Sequence, residues 1–350
     1  MRIAQVAPLA ERVPPKLYGG AERVISWLTE ELVALGHDLV LFASADSITK
    51  ATLVAVWPSG IRLSHPSPDP LSPLANLLEA VAAAAHNFDV IHCHTDWVHL
   101  PLLQRLRIPF LTTLHGRLDA PGLQSVARLF PSAPFVSVSD NQRKPLPGLN
   151  WLATVYHGLP SDMLKPSKDR GSYLAFLGRI SPEKGPETAI RLAQAAGLPL
   201  RIAAKVEESS YFRERIQPLI DGRDIQFIGE VGEGDKEEFL QKAAALLFPI
   251  EWPEPFGLVM IEAMACGTPS IAFRRGSVSE IIEDGVSGFV VENEAEALSA
   301  IGRLPELDRG CVRRTFERCF TARRRPAFAV DEFIKSTGFK LIHDRAIMPL

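Results

Sequence analysis

Short apolar strands alternate with amphipathic helices along most of the chain. Between residues 20 and 36 the apolar positions recur every three or four residues, which predicts a helix packed against a sheet. The predicted strands are continuous runs of branched apolar residues, which are typical of a parallel sheet covered on both faces. In the first half of the chain this pattern predicts strands at residues 3–7, 38–43, 89–94, 110–115 and 135–139, and helices at residues 20–36 and 74–86.

The alternation stops between residues 158 and 172, where Pro, Ser, Gly and charged residues gather, and then restarts. This predicts an α/β fold with two Rossmann-like domains facing across a cleft, because ligands of doubly wound domains bind at the carboxyl ends of the strands. The predicted parts are a first domain (residues 1–160), a linker (161–172), a second domain (173–322) and an irregular tail (323–350). The second domain is expected to have strands at residues 173–177, 200–204, 225–228, 246–249, 269–273 and 288–291, and helices at residues 185–196, 236–245 and 257–266.

Composition narrows the class of protein. The 350 residues are 46% hydrophobic and 23% charged, which excludes wholesale disorder. Lys and Arg total 38 against 41 Asp and Glu, so no basic footprint for nucleic acid is expected. The four cysteines lie far apart and favour a reducing cytosol. Since no run of 18 apolar residues occurs, we expect a soluble cytoplasmic protein without a transmembrane segment, for which peripheral membrane contact stays open.

The segment EPFGLVMIEAMACGTP, residues 254–269, carries the most chemical information. Gly257 permits an unusual backbone path just before a helix, and the unsatisfied N–H groups and dipole at a helix start favour a phosphate there. Glu262 would lie about 9–12 Å further along that helix, at the distance of a ribose whose hydroxyls donate to it. Glu254 could receive hydroxyls of a sugar beyond the phosphates.

The alternative interpretation makes both acids solvated surface residues. The helix that follows Gly257 is apolar on nearly all sides, and a charge there is costly unless it is bound or paired. This favours a functional role for Glu262.

A basic segment, Gly178-Arg-Ile-Ser-Pro-Glu-Lys-Gly185, directly follows the first strand of the second domain. The guanidinium of Arg179 can form paired hydrogen bonds to phosphate oxygens, and Lys184 supplies a compact positive charge. Two cations facing a diphosphate would stabilise a leaving nucleotide without a metal. The alternative is that this basic segment is a loop that faces solvent. Lys205, at the end of the next strand, is a third candidate cation.

Further candidates lie at strand ends of the first domain. Gly19 and Gly20 precede a helix and allow a ligand close to the backbone, although a plain tight turn would use the same residues. His115 directly follows the strand residues 110–114 and is expected to face the cleft. His92 and His94 alternate on the preceding strand, where they could equally be core histidines. Asp140 and His157 are further cleft or hinge candidates.

The sequence contains no Asp-x-Asp and no His or Glu group at metal-ligand spacing, so neither a metal nor a cofactor is expected. It also lacks the Gly-x-Ser-x-Gly of serine hydrolases and the glycine fingerprints of dehydrogenases and P-loop NTPases.

Taken together, Glu254-x₇-Glu262 with Phe256 and Gly257, the basic pair and the early Gly19-Gly20-Ala21-Glu22 resemble the GT-B-fold retaining glycosyltransferases of family 4. The resemblance runs from Met1 to about Arg324. It implies that the second domain binds a nucleotide-diphosphate sugar, that the first binds an acceptor, and that no metal is needed.

The resemblance also implies roles for individual residues. Glu262 matches the ribose-binding acid, Glu254 the acid on the donor sugar, and His115 the cleft histidine contacting that sugar. Arg179 and Lys184 match the diphosphate-binding cations. The remaining donor-binding candidates are Gly19, Gly20, Lys205, Phe256, Gly257 and Leu258.

One part of the chain departs from the family. The usual long carboxy-terminal helix is interrupted here by Pro326 and Gly338, so only a helix at about residues 329–336 is expected. This altered tail bears on interdomain packing more than on the donor site.

The function predicted from the sequence is transfer of a sugar from a nucleotide-diphosphate sugar, a UDP-sugar by family frequency, to an acceptor hydroxyl with retention. Two alternatives remain: a sugar-nucleotide 2-epimerase, and a sugar-nucleotide-binding protein without catalytic activity.

Overall fold

The computed structural model describes residues 1–64, 69–207 and 209–322. These residues divide into two compact units. The amino-terminal unit comprises Met1–Pro15, Gly19–His157 and residue 322, and the carboxy-terminal unit comprises Lys16–Tyr18 and Gly158–Thr321. Residues 161–172, predicted as a linker, are counted in the carboxy-terminal unit, where the Ser167 N–H donates to the Cys266 carbonyl (3.0 Å). The predicted helix at 329–336 lies outside the described residues.

The amino-terminal unit is built on a seven-stranded parallel sheet with the strand order β3-β2-β1-β4-β5-β6-β7. Its strands are β1 (Arg2–Val6), β2 (Asp38–Ser44), β3 (Thr52–Trp57), β4 (Val90–Cys93), β5 (Phe110–Thr113), β6 (Pro134–Ser137) and β7 (Asn150–Thr154). Its helices are α1 (Gly20–Ala34), α2 (Leu71–Ala84), α3 (Leu100–Leu106), α4 (Leu123–Leu129) and α5 (Asp140–Arg143).

The carboxy-terminal unit repeats this plan with six parallel strands in the order β10-β9-β8-β11-β12-β13. Its strands are β8 (Tyr173–Ile180), β9 (Leu200–Val206), β10 (Ile225–Gly229), β11 (Ala243–Phe248), β12 (Ser270–Phe273) and β13 (Gly288–Val291). Its helices are α6 (Pro186–Ala196), α7 (Ser209–Tyr211), α8 (Glu233–Gln241), α9 (Leu258–Ala265), α10 (Val278–Ile281), α11 (Glu294–Gly302) and α12 (Arg309–Cys319).

The predicted α/β fold class with parallel sheets is confirmed, and the strand orders locate the ligand-binding edge of each unit. The order reverses direction between β1 and β4 in one unit and between β8 and β11 in the other. Ligands of open parallel sheets bind outside the carboxyl ends of the strands at such a reversal. Residues of a ligand site are therefore expected at the carboxyl ends of the strands beside these two reversals.

The prediction of a helix over residues 236–245 is wrong at its end. Helix α8 ends at Gln241, and β11 begins at Ala243. Its first residues, Ala243, Ala244 and Ala245, favour a helix intrinsically, but β11 pairs with β8 on one side and β12 on the other, and these pairings override that preference. The elements that were not predicted are strands β3 and β7 and helices α3, α4, α5, α7, α10, α11 and α12. Strand β3 lies at the sheet edge and is only half-buried, so its apolar signal is weak.

Among the residues that the structure describes, no helix is both long enough and apolar enough to cross a membrane.

Candidate functional site

In the carboxy-terminal unit the basic segment lies at the reversal between β8 and β11. Arg179 is near the end of β8, and Lys184 ends the short turn that follows it. Gly185 then adopts a left-handed φ of +69°, and a Cβ there would lie 2.2 Å from the Pro249 carbonyl oxygen. Only glycine therefore allows the turn to pack against the chain leaving β11. This close approach brings Lys184 to the segment that carries Glu254.

Three predicted cations gather around two aromatic rings at this edge. The sheet register pairs Arg179 with Lys205 on the neighbouring strand β9. The Arg179 Cζ lies 5.5 Å from the centre of the Trp252 ring, and the Lys184 Nζ lies 4.6 Å from it. Arg179 Cζ and Lys205 Nζ lie 5.9 and 5.5 Å from the ring of Tyr18. We call Arg179, Lys184 and Lys205 the cation cluster; its cation–π contacts hold the charged heads at the strand ends.

Carboxylates balance the cation cluster. The Lys184 Nζ donates to Glu254 Oε2 at 2.5 Å, and the Trp252 indole N–H donates to the same oxygen at 2.8 Å. Arg179 donates to the carboxylate of Glu207, which also lies 3.9 Å from the Lys205 Nζ. Binding of an anion at this edge would therefore require the cations to exchange carboxylate partners for the ligand.

One donor of the cation cluster is left over. The Nε of Arg179 is buried and has no hydrogen-bond partner among residues 1–64, 69–207 and 209–322. A buried donor without a partner is costly, and a ligand oxygen is one group that can satisfy it.

Helix α9 begins beside the cation cluster. Gly257 precedes it with φ +79°, and a Cβ on Gly257 would lie 3.4 Å from the Glu254 Cγ and 3.3 Å from the Phe248 ring. The Lys184 Nζ lies 5.9 Å from the centre of that same ring. Leu258 starts the helix, no side chain caps its first turn, and Phe256 is buried just before it. The amide end of α9 and Lys184 thus flank the same ring, as an anion site would require.

A second turn braces the segment around Glu254. The Ser277 N–H donates to the Glu254 carbonyl and the Ser277 Oγ donates to the Phe256 carbonyl, both at 2.9 Å. Gly276 has φ +58°, and a Cβ there would lie 2.2 Å from the Glu254 nitrogen. The backbone that presents Glu254 is therefore fixed from the side of β12.

Glu262 is buried in α9 with 2% of its surface exposed, and it is paired. The Lys236 Nζ, from helix α8, donates to Glu262 Oε1 at 2.6 Å, and Lys236 is itself 8% exposed. The sequence required a bound or paired charge here, and the structure supplies a lysine. A ribose-binding role for Glu262 would have to coexist with this ion pair.

In the amino-terminal unit the candidate ligand-binding residues lie at two places, the start of α1 and the end of β5. Gly20 is the first residue of α1, and a Cβ on Gly19 would lie 2.7 Å from the Pro15 Cβ, so the turn before α1 requires glycine for space. Glu22, in the first turn of α1, is buried, and burial raises its pKa to about 7. His115 lies elsewhere, directly after β5.

His115 belongs to a set of buried histidines at the reversal between β1 and β4. His94, which follows β4, lies with its Nδ1 at 2.8 Å from the His115 Nε2 and its Nε2 at 2.8 Å from the Gln5 Oε1. His157 stacks on His115 with ring centres 5.3 Å apart. His92 is buried on β4 and bonds to Thr113 Oγ1 at 2.8 Å. Burial lowers the pKa of each of these histidines, that of His115 to about 4.

The backbone around His115 is held by Gln142. Its Nε2 donates to the carbonyls of Leu114 and Gly116, each at 2.8 Å, so the amide clamps both sides of His115. Asp140 lies nearby at the start of α5 and accepts from Thr154 Oγ1 at 2.5 Å.

The site residues that sequence reasoning did not find include Trp252, Glu207 and Lys236 in the carboxy-terminal unit and Gln5 and Gln142 in the amino-terminal unit. Each lies within nine residues of a predicted element end, but nothing in its local pattern marks it. In the described ranges, no group of three or more His, Cys, Asp or Glu side chains is arranged to hold a metal ion.

Two family models match the chain. Residues 18–155 match the model described as Glycosyltransferase Family 4, and residues 164–307 match the one described as Glycosyl transferases group 1. The chain is also similar to glycogen synthase of Mycobacterium tuberculosis (strain H37Rv), with 24% identity over 342 residues that cover 79% of each chain.

Two solved structures share the fold. One is AviGT4, a glycosyltransferase involved in avilamycin A biosynthesis, with a TM-score of 0.72 and 24% identity over 96% of this chain and 97% of that chain. The other is HepE of Anabaena, solved in complex with UDP-glucose, with a TM-score of 0.73 and 17% identity over 95% and 99% of the two chains.

The fold and the family matches define the class: the chain is a GT-B glycosyltransferase. More closely, the amino-terminal half of the chain matches the Family 4 model, and the carboxy-terminal half matches the group 1 model.

Proposed function

We propose that this glycosyltransferase moves a hexosyl group from a UDP-sugar to an acceptor hydroxyl with retention of anomeric configuration, without a metal. The observation that carries the proposal is the cation cluster beside the start of α9 in the carboxy-terminal unit. Three cations and a helix amide end converge at the sheet reversal, and the Nε of one of the cations, Arg179, is buried without a hydrogen-bond partner among the described residues. That combination suits a diphosphate.

The proposed mechanism is electrostatic. The bond between the anomeric carbon and the β-phosphate oxygen breaks, and Arg179 and Lys184 stabilise the charge on the departing diphosphate. The acceptor oxygen bonds to the anomeric carbon from the face that the diphosphate leaves, and its proton passes to a diphosphate oxygen. Lys184 would exchange Glu254 for phosphate as the donor binds, which frees the Glu254 carboxylate for hydroxyls of the donor sugar.

Two further proposals complete the donor site. Glu262 would hold the ribose hydroxyls with its outer oxygen while Lys236 holds Oε1. His115 would contact the donor sugar, and the amino-terminal unit would bind the acceptor. The choice of UDP is supported by the complex of HepE with UDP-glucose.

Ligand-dependent thermal stability tests the donor. We expect UDP and UDP-hexoses to raise the melting temperature more than GDP, ADP and their sugars, because a ligand at a hundredfold excess over Kd adds about 2.7 kcal/mol. A shift by ADP or GDP compounds alone would contradict the choice of UDP, and no shift by any of them would contradict the donor site.

Product analysis with a radiolabelled donor separates the alternatives. Transfer of label to an acceptor supports a glycosyltransferase reaction, free epimerised sugar indicates a 2-epimerase, and tight UDP binding without turnover indicates a binding protein. Arg179→Ala should lower turnover about a hundredfold or more. Arg191→Ala, a control on an exposed pair with Glu294, should leave it unchanged.

A further inference from the structure

The ring of His115 is oriented by a chain of hydrogen bonds that begins at Gln5 on β1. The Gln5 Oε1 lies 2.8 Å from the His94 Nε2. A carbonyl oxygen can only accept a hydrogen bond, so His94 must carry a proton on Nε2. Gln5 is fully buried, and its other amide atom is engaged as well.

The protonation of His94 also determines which atom donates in its hydrogen bond with His115. His94 is neutral, because burial among other histidines holds its pKa well below the usual range. A neutral imidazole carries one proton, so the His94 Nδ1 is a bare acceptor. The His115 Nε2, 2.8 Å away, must therefore donate to it. His115 is neutral too, which leaves its Nδ1 with a lone pair of electrons and no proton.

The second branch of the network follows from the same orientation of the Gln5 amide. The Gln5 Nε2 donates to the His92 Nδ1 at 3.4 Å, and the His92 Nε2 then donates to Thr113 Oγ1 at 2.8 Å. Each amide atom of Gln5 thus has a histidine partner of the opposite hydrogen-bonding type. Rotating the amide would reverse both branches at once.

This series of hydrogen bonds ends at an acceptor that no described residue satisfies. Within the described part of the chain, His115 Nδ1 is buried and has no hydrogen-bond partner. The stacked His157 ring and the Gln142 clamp hold the His115 ring and backbone in place. A fixed, bare acceptor of this kind is complementary to a hydroxyl or N–H group and repels phosphate oxygens.

We propose that Gln5 and His94 are positioning residues that hold His115 in its Nε2–H tautomer, so that Nδ1 accepts a hydrogen bond from a hydroxyl of the sugar ligand. The identity of the ligand rests on the proposed function, whereas the tautomer does not. His115 is thereby assigned to recognise a hydroxyl and is excluded from binding the diphosphate.

Nitrogen NMR of protein labelled with ¹⁵N-histidine tests the tautomer directly. At pH 7 long-range ¹H–¹⁵N correlation should show His115, assigned by its loss in His115→Asn, with a protonated Nε2 and an unprotonated Nδ1. A wild-type spectrum with the proton on Nδ1 overturns the proposal without any Gln5 variant.

A pair of substitutions tests the origin of the tautomer. Gln5→Met, which removes both amide partners at similar size, should give His115 a substantial Nδ1–H population. Thr112→Val is the control, since it removes a buried 2.7 Å hydrogen bond to His99 that does not lead to His115. The control should keep the wild-type tautomer. An unchanged His115 tautomer in Gln5→Met also overturns the proposal.

Binding measurements connect the tautomer to the sugar. With UDP-glucose as the probe, Gln5→Met should raise the Kd about threefold to tenfold relative to Thr112→Val, the range of one hydrogen bond, and leave the Kd for UDP unchanged. An equal loss of UDP and UDP-glucose affinity contradicts the assignment to a sugar hydroxyl. If the wild type binds no nucleotide sugar, the proposed function fails while the NMR result still decides the tautomer.

Discussion

Lys184 and Glu254, 70 positions apart, form a direct ion pair at 2.5 Å in the carboxy-terminal unit. Both side chains are largely buried, with 13% and 12% of their surfaces exposed. The sequence pointed to each as a candidate for a different part of the donor. Their pairing means that the cation and the acid are engaged with each other before a ligand arrives.

The first prediction concerns this pair. Lys184→Met should weaken UDP binding about tenfold, because it removes a phosphate-binding charge. Glu254→Gln should strengthen binding of UDP a few-fold, since Lys184 no longer has to leave a carboxylate, while transfer from UDP-glucose falls. Isothermal titration calorimetry of the two single variants and the double variant measures the coupling. Weaker UDP binding in Glu254→Gln would contradict the exchange of partners.

The second prediction separates the two roles of Glu262. Glu262→Ala leaves the Lys236 ammonium buried without its partner, which should cost about 3–5 kcal/mol of unfolding free energy. The double variant Lys236→Met with Glu262→Met should recover most of that stability, because an apolar pair of similar volume replaces the ions. Urea unfolding gives the stabilities.

UDP affinity of the same double variant then tests ribose binding. If Glu262 binds the ribose, the stable double variant still binds UDP weakly. Wild-type affinity in the double variant would leave Glu262 with a purely structural role.

The third prediction concerns Glu22 in the first turn of α1. Burial raises its pKa from 4.5 to about 7, so the unfolded chain releases this proton at lower pH than the folded one. Stability attributable to this group is therefore complete below pH 4.5 and is lost as the pH rises towards 7. Glu22→Gln should remove that loss and stabilise the protein at pH 8 by up to about 3 kcal/mol relative to pH 4.5. Thermal unfolding of both proteins at the two pH values measures the difference.

The fourth prediction concerns acid unfolding. Burial lowers the pKa of His99 to about 3, so below pH 6.5 the unfolded chain takes up a proton that the folded chain excludes. Stability is full above pH 6.5 and falls as the pH drops towards 3. A glutamine at position 99 can keep a hydrogen bond to Thr112 but takes up no proton. Between pH 7 and pH 5, the free energy of unfolding of His99→Gln should therefore fall by about 2 kcal/mol less than that of the wild type. Equal losses in urea titrations would show that His99 is not excluded from protonation.

Much of the fold follows from the sequence, because buried parallel strands leave a strong local signal. The run of apolar residues in β8 and the spacing in α1 are local properties of the chain, and both elements lie within a few residues of their predicted bounds. The boundary between α8 and β11 is different. The alanine run favours a helix, and only pairing of β11 with two neighbouring strands overrides that preference.

The site could be predicted only in part, for the same reason. That Glu262 needed a partner follows from its apolar helix, but its partner Lys236 lies 26 positions away in a helix whose orientation no local pattern gives. Trp252 and Glu207 stand in loops where tertiary contacts alone place them beside the cations. The direction of the Gln5–His94–His115 hydrogen bonds depends on distances between three strand ends.

In the proposed donor site, the brace formed by Gly276 and Ser277 would limit how the protein can change its donor. Since the main chain at position 254 is pinned by two hydrogen bonds and a backbone contact that tolerates no Cβ, that loop cannot slide to fit a larger sugar. Altered preference would have to come from exchanging side chains on an immobile frame. Libraries that randomise residues 252 and 254 and keep residues 276 and 277 unchanged are therefore the most direct way to search for variants with new specificity.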